Sequence, residues 1–279
     1  MIGLLRATRM EMLKLRRTLA LWASILVPFL LVAMTTALNL SRNIGGRFDP
    51  GAPPAVSQWE SLMLDLVLFL WCLIGLPLFV SLETALLAGL EHRENTWKHL
   101  FALPIQRWTI YVAKLLVGSG LVCISSVVLA IGIGLEGLIL LKLRPDLGLT
   151  WPIPWKLIFL RSFSFTPAVL LMLAVQTWVA VRWRSFVVAM SLGIGGTITG
   201  LIFSRSLRIV LSVSPHSAQV YLASFFPWSL PYAIIWNERA ALLFNHATNL
   251  QQPAFVEGII GGLLIAAFGC WNVIRKDVI

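Results

Sequence analysis

The chain has 279 residues, of which 58% are hydrophobic and only 12% charged, and its formal net charge is +10. Soluble domains carry about 25% charged residues, and a chain of this length cannot bury so much apolar surface on itself. Composition therefore excludes an ordinary soluble fold and makes the membrane the solvent. The positive charge then bears on span orientation, not on nucleic acid.

The N-terminal stretch, residues 2–17, is basic and amphipathic. Ile2, Leu5 and Met12 share an apolar face, while Arg6, Arg9, Lys14, Arg16 and Arg17 supply charge. Such a helix lies along the inner leaflet. The apolar run that follows, 19–40, is too long for a signal h-region and lacks a small-residue cleavage site, so it reads as a retained first span. Five more runs are long enough to cross a bilayer, at 62–89, 110–140, 157–181, 186–204 and 254–273. Pro77 should kink the second span and Pro167 the fourth.

With six spans, thirteen of the 22 Lys and Arg fall on one side, together with both termini, and eight on the other. That bias makes both termini cytoplasmic. Trp22, Trp108, Trp183 and Trp271 flank spans on the inner side and Trp59, Trp151 and Trp155 on the outer side, as amphipathic rings favour the headgroup level. Residues 205–253 form an outer segment. Its stretch 218–236 is apolar enough for a seventh span, but Pro227 and Pro231 argue against a straight helix. A pair of re-entrant or interfacial helices is expected there, packed against protein.

Soluble-enzyme motifs are missing. There is no phosphate loop, no His-Glu-x-x-His helix and no Gly-x-Ser-x-Gly elbow. Cys72, Cys123 and Cys270 read as small buried hydrophobes, and the four histidines, His92 and His99 included, form no metal-ligand pattern. Ionisable residues inside spans are functional candidates by default. Here those are Glu83, near the cytoplasmic end of the second span, and Glu136, near the outer end of the third. Asp65 lies near a span end, and Arg161 is a partner by depth for Asp65 or Glu136. Gly193, Gly195, Gly196 and Gly200 make the fifth span rich in small residues. Small residues permit close helix approach, either within the chain or in contact with a second subunit.

One charged segment interrupts the apolar pattern. Read as a helix over 91–103, it places Trp97, Leu100, Phe101 and Pro104 on one face. His92, Arg93, Asn95, Lys98 and His99 mostly occupy the rest, and Pro104 ends it. The order Glu91, Glu94, Thr96, Trp97, Lys98, Leu100, Leu103, Pro104, Ile105, Arg107, Ile110, Tyr111 and Lys114 resembles the segment between spans two and three in permeases of the type-2 class of ABC exporters. It looks closest to those of bacitracin-export and lantibiotic-immunity systems. Asn95 departs from the common form, which places Gly there.

The resemblance implies a single permease domain over 1–279 in a bacterial plasma membrane. The fold would be all-α with six spans, an interfacial N-terminal helix, a coupling helix at 91–103 and an outer re-entrant segment. In that family the coupling helix docks on a separate ATPase subunit, and the N-terminal helix packs beside it. By resemblance, Glu91, Arg93, Glu94, Thr96, Trp97, Lys98, Leu100, Phe101 and Pro104 dock here. Two ATPase subunits hold the ATP and Mg, this chain binds no cofactor and is not an enzyme, and a second permease completes the path. The cargo would be an amphiphilic peptide, antibiotic or lipid-like molecule. Two rival readings remain: a membrane sensor or scaffold that binds a cytoplasmic partner, and an intramembrane enzyme built on Glu83 or Glu136.

Overall fold

The computed structural model describes residues 2–15, 18–41, 58–93, 106–149, 151–183, 185–213, 226–235 and 251–275. The regular elements among them are all helical. Helix α1 (Ile2–Leu15) precedes α2 (Leu19–Ser41), the first span. The second span is composite. It runs through α3 (Gln58–Leu62), a π-helical turn Met63–Val67, α4 (Leu68–Leu70), a second π turn Trp71–Gly75, and α5 (Leu76–Arg93). The third is α6 (Arg107–Leu143), and the fourth is α7 (Trp155–Ser164) with α8 (Thr166–Arg182). The fifth is α9 (Phe186–Val213) and the sixth α10 (Gln251–Ile274). Among the described residues six helices are thus long and apolar enough to cross a membrane, and the protein is a multi-pass membrane protein.

The two prolines act as their chemistry requires. The Leu76 N–H reaches back five residues to the Trp71 carbonyl, and Pro77 beside it has no N–H to offer. The expected kink at Pro77 therefore takes the form of a π turn just before it. The ladder of the fourth span is interrupted at Phe165, between α7 and α8, and Pro167 stands in the first turn of α8, where a missing N–H costs nothing.

The main neighbours are α8 with α10, α2 with α6, α5 with α8 and α9, and α1 with α6. Lipid is as apolar as a leucine side chain, so packing geometry rather than water exclusion holds such pairs. Helices α10 and α8 approach each other closely: a Cβ on Gly258 would meet the Pro167 carbonyl oxygen and come within 2.6 Å of the Ala168 Cα. The core is lined by Trp71, Phe79, Leu129, Ile133, Phe165, Met172 and Tyr232. Phe29, Leu30, Ile131, Leu135, Ile198, Ile202, Leu263 and Leu264 face outward, a distribution that suits a hydrocarbon solvent.

Cys123 is exposed rather than buried, and two further expectations need correction here. Trp59 is not an interfacial ring; it is 2% exposed, and its ring lies on the bare Cα of Gly137 in α6. The other six flanking tryptophans are exposed. The fifth span also continues as helix to Val213, into the region expected to leave the bundle. Of the outer segment, 226–235 is described: a turn whose Ser229 and Leu230 N–H groups both donate to the Phe226 carbonyl, then a helical turn over 230–235. Leu230 and Ile234 pack with Ala168 and Ala254, and Tyr232 meets Phe69 edge-on at 5.5 Å. This piece is seated inside the bundle. The remainder of 214–250 lies outside the described residues.

Candidate functional site

Helix α1 is set against the bundle by a narrow buried stripe, Ala7, Glu11 and Leu15, the i, i+4, i+8 spacing of one helical face. Leu5, Met10, Met12 and Leu13 are exposed, which leaves Leu5 and Met12 free to meet lipid. The acid in the buried stripe is the notable feature. Glu11 is 3% exposed and Lys114, on the second turn of α6, is 2% exposed. Lys114 Nζ donates to Glu11 Oε2 at 3.1 Å and to the Leu87 carbonyl of α5 at 3.1 Å. Lys14 Nζ donates to the other oxygen, Oε1, at 2.8 Å. Each carboxylate oxygen thus accepts from an ammonium, as a buried charge demands a partner.

This joint ties three helices at one level. Leu87 and Lys114 lie on the two helices that lead into and out of residues 94–105, and α1 is fastened to both. Sequence reasoning passed over Glu11 because the basic residues around it dominate the stretch. The signal was its place on the Ala7–Leu15 stripe, three residues before Lys14. Lys114 was legible only as the last position of the motif.

Of the expected docking residues, Glu91 and Arg93 lie on the last turn of α5. Glu94, Thr96, Trp97, Lys98, Leu100, Phe101 and Pro104 lie outside the described residues, as does most of the 91–103 helix.

The intramembrane polar residues separate into unlike environments. Glu136 is buried between α6 and α2, where Asn39 Nδ2 donates to Oε1 at 2.9 Å and Thr35 Oγ1 lies 3.1 Å from Oε2. Arg161 is not its partner. Arg161 Nη2 donates to Glu60 Oε1 at 2.9 Å, joining α7 to α3, while α2 has occupied Glu136. Glu83 is 0% exposed, and neither carboxyl oxygen has a hydrogen-bond partner among the described residues. Its Oε1 would lie 3.4 Å from a Cβ on Gly118 of α6, a position that Leu173 of α8 also borders. The α5–α8 contact is completed by Gln176, whose Nε2 donates to Ser81 Oγ at 2.8 Å.

The glycines of α9 are occupied unequally. Gly193 packs on Ser81 and Gln176, and Gly196 and Gly200 pack on Trp228. A Cβ at any of the three would run into this chain's own atoms or press on them, so their bare faces serve internal packing. Gly195 meets nothing within 4 Å and is the one of the four on an open face.

Outside the spans, Arg144 Nη2 donates to Asp146 Oδ2 at 2.7 Å and Nη1 to the Asn39 carbonyl at 3.1 Å. The guanidinium holds the Asp146 carboxyl below the usual carboxylate range. Among the described residues no group of three or more His, Cys, Asp or Glu side chains converges as a metal site would require.

The family model described as ABC-2 family transporter protein matches residues 7–200. That span includes Glu11, Glu83, Leu87, Lys114 and the whole 94–105 segment. No curated protein matches the chain.

Proposed function

The chain belongs to the ABC-2 transporter family and is a transport permease subunit, and from that premise we propose that it is driven by separate ATPase subunits docking on residues 91–105. The Glu11–Lys114–Leu87 joint carries this reading. A force applied to the 94–105 segment needs a stiff connection to the spans, and a buried ion pair across α1 and α6 with a bond to α5 supplies one. Rigid-body motion of packed helices is the ordinary way such a force is transmitted. Two ATPase subunits would hold the ATP and Mg, and this chain would pair with a second permease across open faces such as that of Gly195. Both termini would be cytoplasmic in a bacterial plasma membrane.

Export of an amphiphilic peptide, antibiotic or lipid-like molecule is the transport direction and cargo that this reading favours. The support is the motif at 91–114 together with the apolar lining of the spans. Charged rings that would select small ions are absent from the sequence of the spans.

The test is co-purification from host membranes in mild detergent. An ABC ATPase should accompany the wild-type chain and be lost from a still-folded Glu91→Ala/Trp97→Ala variant. Absence of any ATPase across several detergents would refute the reading. Equal recovery with both chains would keep the partner class and discard these docking residues. ATP-dependent movement of a labelled amphiphilic peptide in reconstituted vesicles then tests cargo and direction.

A further inference from the structure

Helices α8 and α10 run parallel. Gly258 lies on Pro167 and Ala168, and Gly262, four residues on, lies on Leu170 and Leu171. Their C-terminal ends are therefore level with each other. Tyr111, near the start of α6, packs there in one cluster with Ala180, Val181 and Val273, so this is the end that carries residues 94–105. Four rings cross it in contact. Trp183 meets Trp178 at 5.7 Å, Trp178 meets Phe268 at 5.5 Å, and Phe268 meets Trp271 at 5.9 Å. The Arg275 guanidinium caps the run, 4.2 Å from the Trp271 ring centroid. It has no hydrogen-bond or ion-pair partner among the described residues. A guanidinium held over a ring keeps its N–H donors for a second partner.

The outer side of this feature has a definite length and order. Phe268 and Trp271 are exposed, and the exposed face continues along α10 through Leu264 to Ile260. Positions 260, 264, 268, 271 and 275 follow the spacing of one helical face. From Ile260 to Arg275 the helix rises about 22 Å. Half a bilayer, headgroups included, is about 20–22 Å thick. The face thus passes from aliphatic to aromatic to cationic over the depth of one leaflet, the order of a phospholipid from chain to headgroup.

A helix of a second copy would fit this face poorly. Close helix approach in a membrane uses small residues, and α10 has turned its glycines inward: Gly258, Gly261 and Gly262 onto α8, and Gly269 onto Tyr111. The charge is one-sided as well. The sequence at the two helix ends carries Arg182, Arg184, Arg275 and Lys276 against Asp277. Glu11, at the same end of the bundle, is taken by Lys14 and Lys114.

We propose that this face binds an anionic phospholipid, with its phosphate on Arg275 and an acyl chain along Phe268, Leu264 and Ile260. Trp271 holds the guanidinium at headgroup level, and the ring contacts running back to α8 hold Phe268 and Trp271 in place. A zwitterionic lipid offers the same phosphate together with an ammonium that the surrounding cations repel, so the site selects a net negative headgroup. The site stands without the permease reading; only its assignment to the inner leaflet rests on the orientation proposed above.

The experiment uses the full chain in lipid nanodiscs. The probes are phosphatidylglycerol and phosphatidylcholine with the same photoreactive acyl chain, each added at a low fraction to a phosphatidylcholine bilayer. Labelled residues are mapped by mass spectrometry. In the wild type, label over residues 260–275 should be stronger with phosphatidylglycerol. Arg275→Gln should lower that preference about fivefold, the share of one basic group at an anionic surface. Trp271→Leu should lower it too, although it removes no charge. Arg9→Gln, which removes an exposed cation on α1, should leave it unchanged. Equal labelling by the two lipids in the wild type would overturn the proposal, and so would an unchanged preference in Arg275→Gln. An equal fall in Arg9→Gln would show diffuse surface charge in place of a site and would overturn it as well. No label over 260–275 with either lipid would mean that protein covers this face, with the same consequence. Arg275 is exposed at the end of α10, so its replacement should leave the fold intact; Arg275→Lys, which keeps the charge and loses the stacked plane, should retain part of the preference.

Discussion

The two ends of the bundle are fastened by different chemistry. At the end that carries residues 94–105, α1, α5 and α6 are joined by charged side chains: Glu11 with Lys114 and Lys14, and Lys114 with the Leu87 carbonyl. At the far end the fastening is mostly neutral and close-packed. Trp59 lies on Gly137, Trp155 on Gly134, and Gly258 on the backbone of α8. Glu136 there is satisfied by Asn39 and Thr35, and the ion pair Glu60–Arg161 joins neighbouring span ends. Ring-on-glycine contacts allow one arrangement, because any shift opens a void or a clash. A lysine held between a carboxylate and a carbonyl can change partners. The end that carries residues 94–105 is thus joined through a lysine with more than one acceptor, and the opposite end through contacts that admit a single arrangement.

The largest expected effect is at the end that carries residues 94–105. Lys114→Met leaves Glu11 buried with only Lys14, and should cost about 3 kcal/mol, the low end for a broken buried pair. Thermal unfolding in detergent measures it, and coupled ATP hydrolysis should be lost as well. Wild-type stability in this variant would remove the distinction between the two ends.

At the far end Gly258→Ala should cost about 1–3 kcal/mol, because the obstructing atoms belong to the backbone of α8 and cannot swing aside. Its unfolding temperature should drop while the ATP dependence of the remaining folded protein stays unchanged. A change in coupling here would show that the far end also transmits force. Glu136→Leu removes the acceptor from Asn39 and should cost about 1–2 kcal/mol, with Glu136→Gln well below that.

The smallest effect is at the surface. Asp146 is stabilised as a carboxylate by Arg144, so the contribution of this pair is complete above the ordinary carboxylate range. It fades as pH falls through the lowered folded value. Asp146→Asn should behave at neutral pH as the wild type does in strong acid, with a change near the limit of detection, as exposed pairs contribute little. Unfolding scans at the two pH values compare them.

Much of the architecture was legible because hydropathy reports span length directly. The first, third and sixth spans were placed within a few residues of α2, α6 and α10. Pro167 was legible because a missing N–H acts locally. Trp59 was not: a tryptophan beside a span looks the same whether its ring meets headgroups or a glycine on another helix. Depth offered Arg161 either Asp65 or Glu136, but depth does not give azimuth: Glu60 rather than Glu136 lies on the facing side, and the Asp65 side chain lies outside the described residues. Glu11 was hidden by composition, since one acid among five basic residues has no periodic signature of its own.

By itself the sequence determined what acts along the chain: a membrane solvent, six apolar runs, a charged segment between the second and third, and prolines that break the helical ladder. Those follow from transfer free energy and backbone chemistry, which each residue carries wherever it is placed. The tertiary structure alone decided what acts across helices. It put Glu11 on Lys114, gave Glu136 two neutral partners, and left Glu83 with none among the described residues. Helix rotation and register set those distances, and both are settled by the packing of all the helices together.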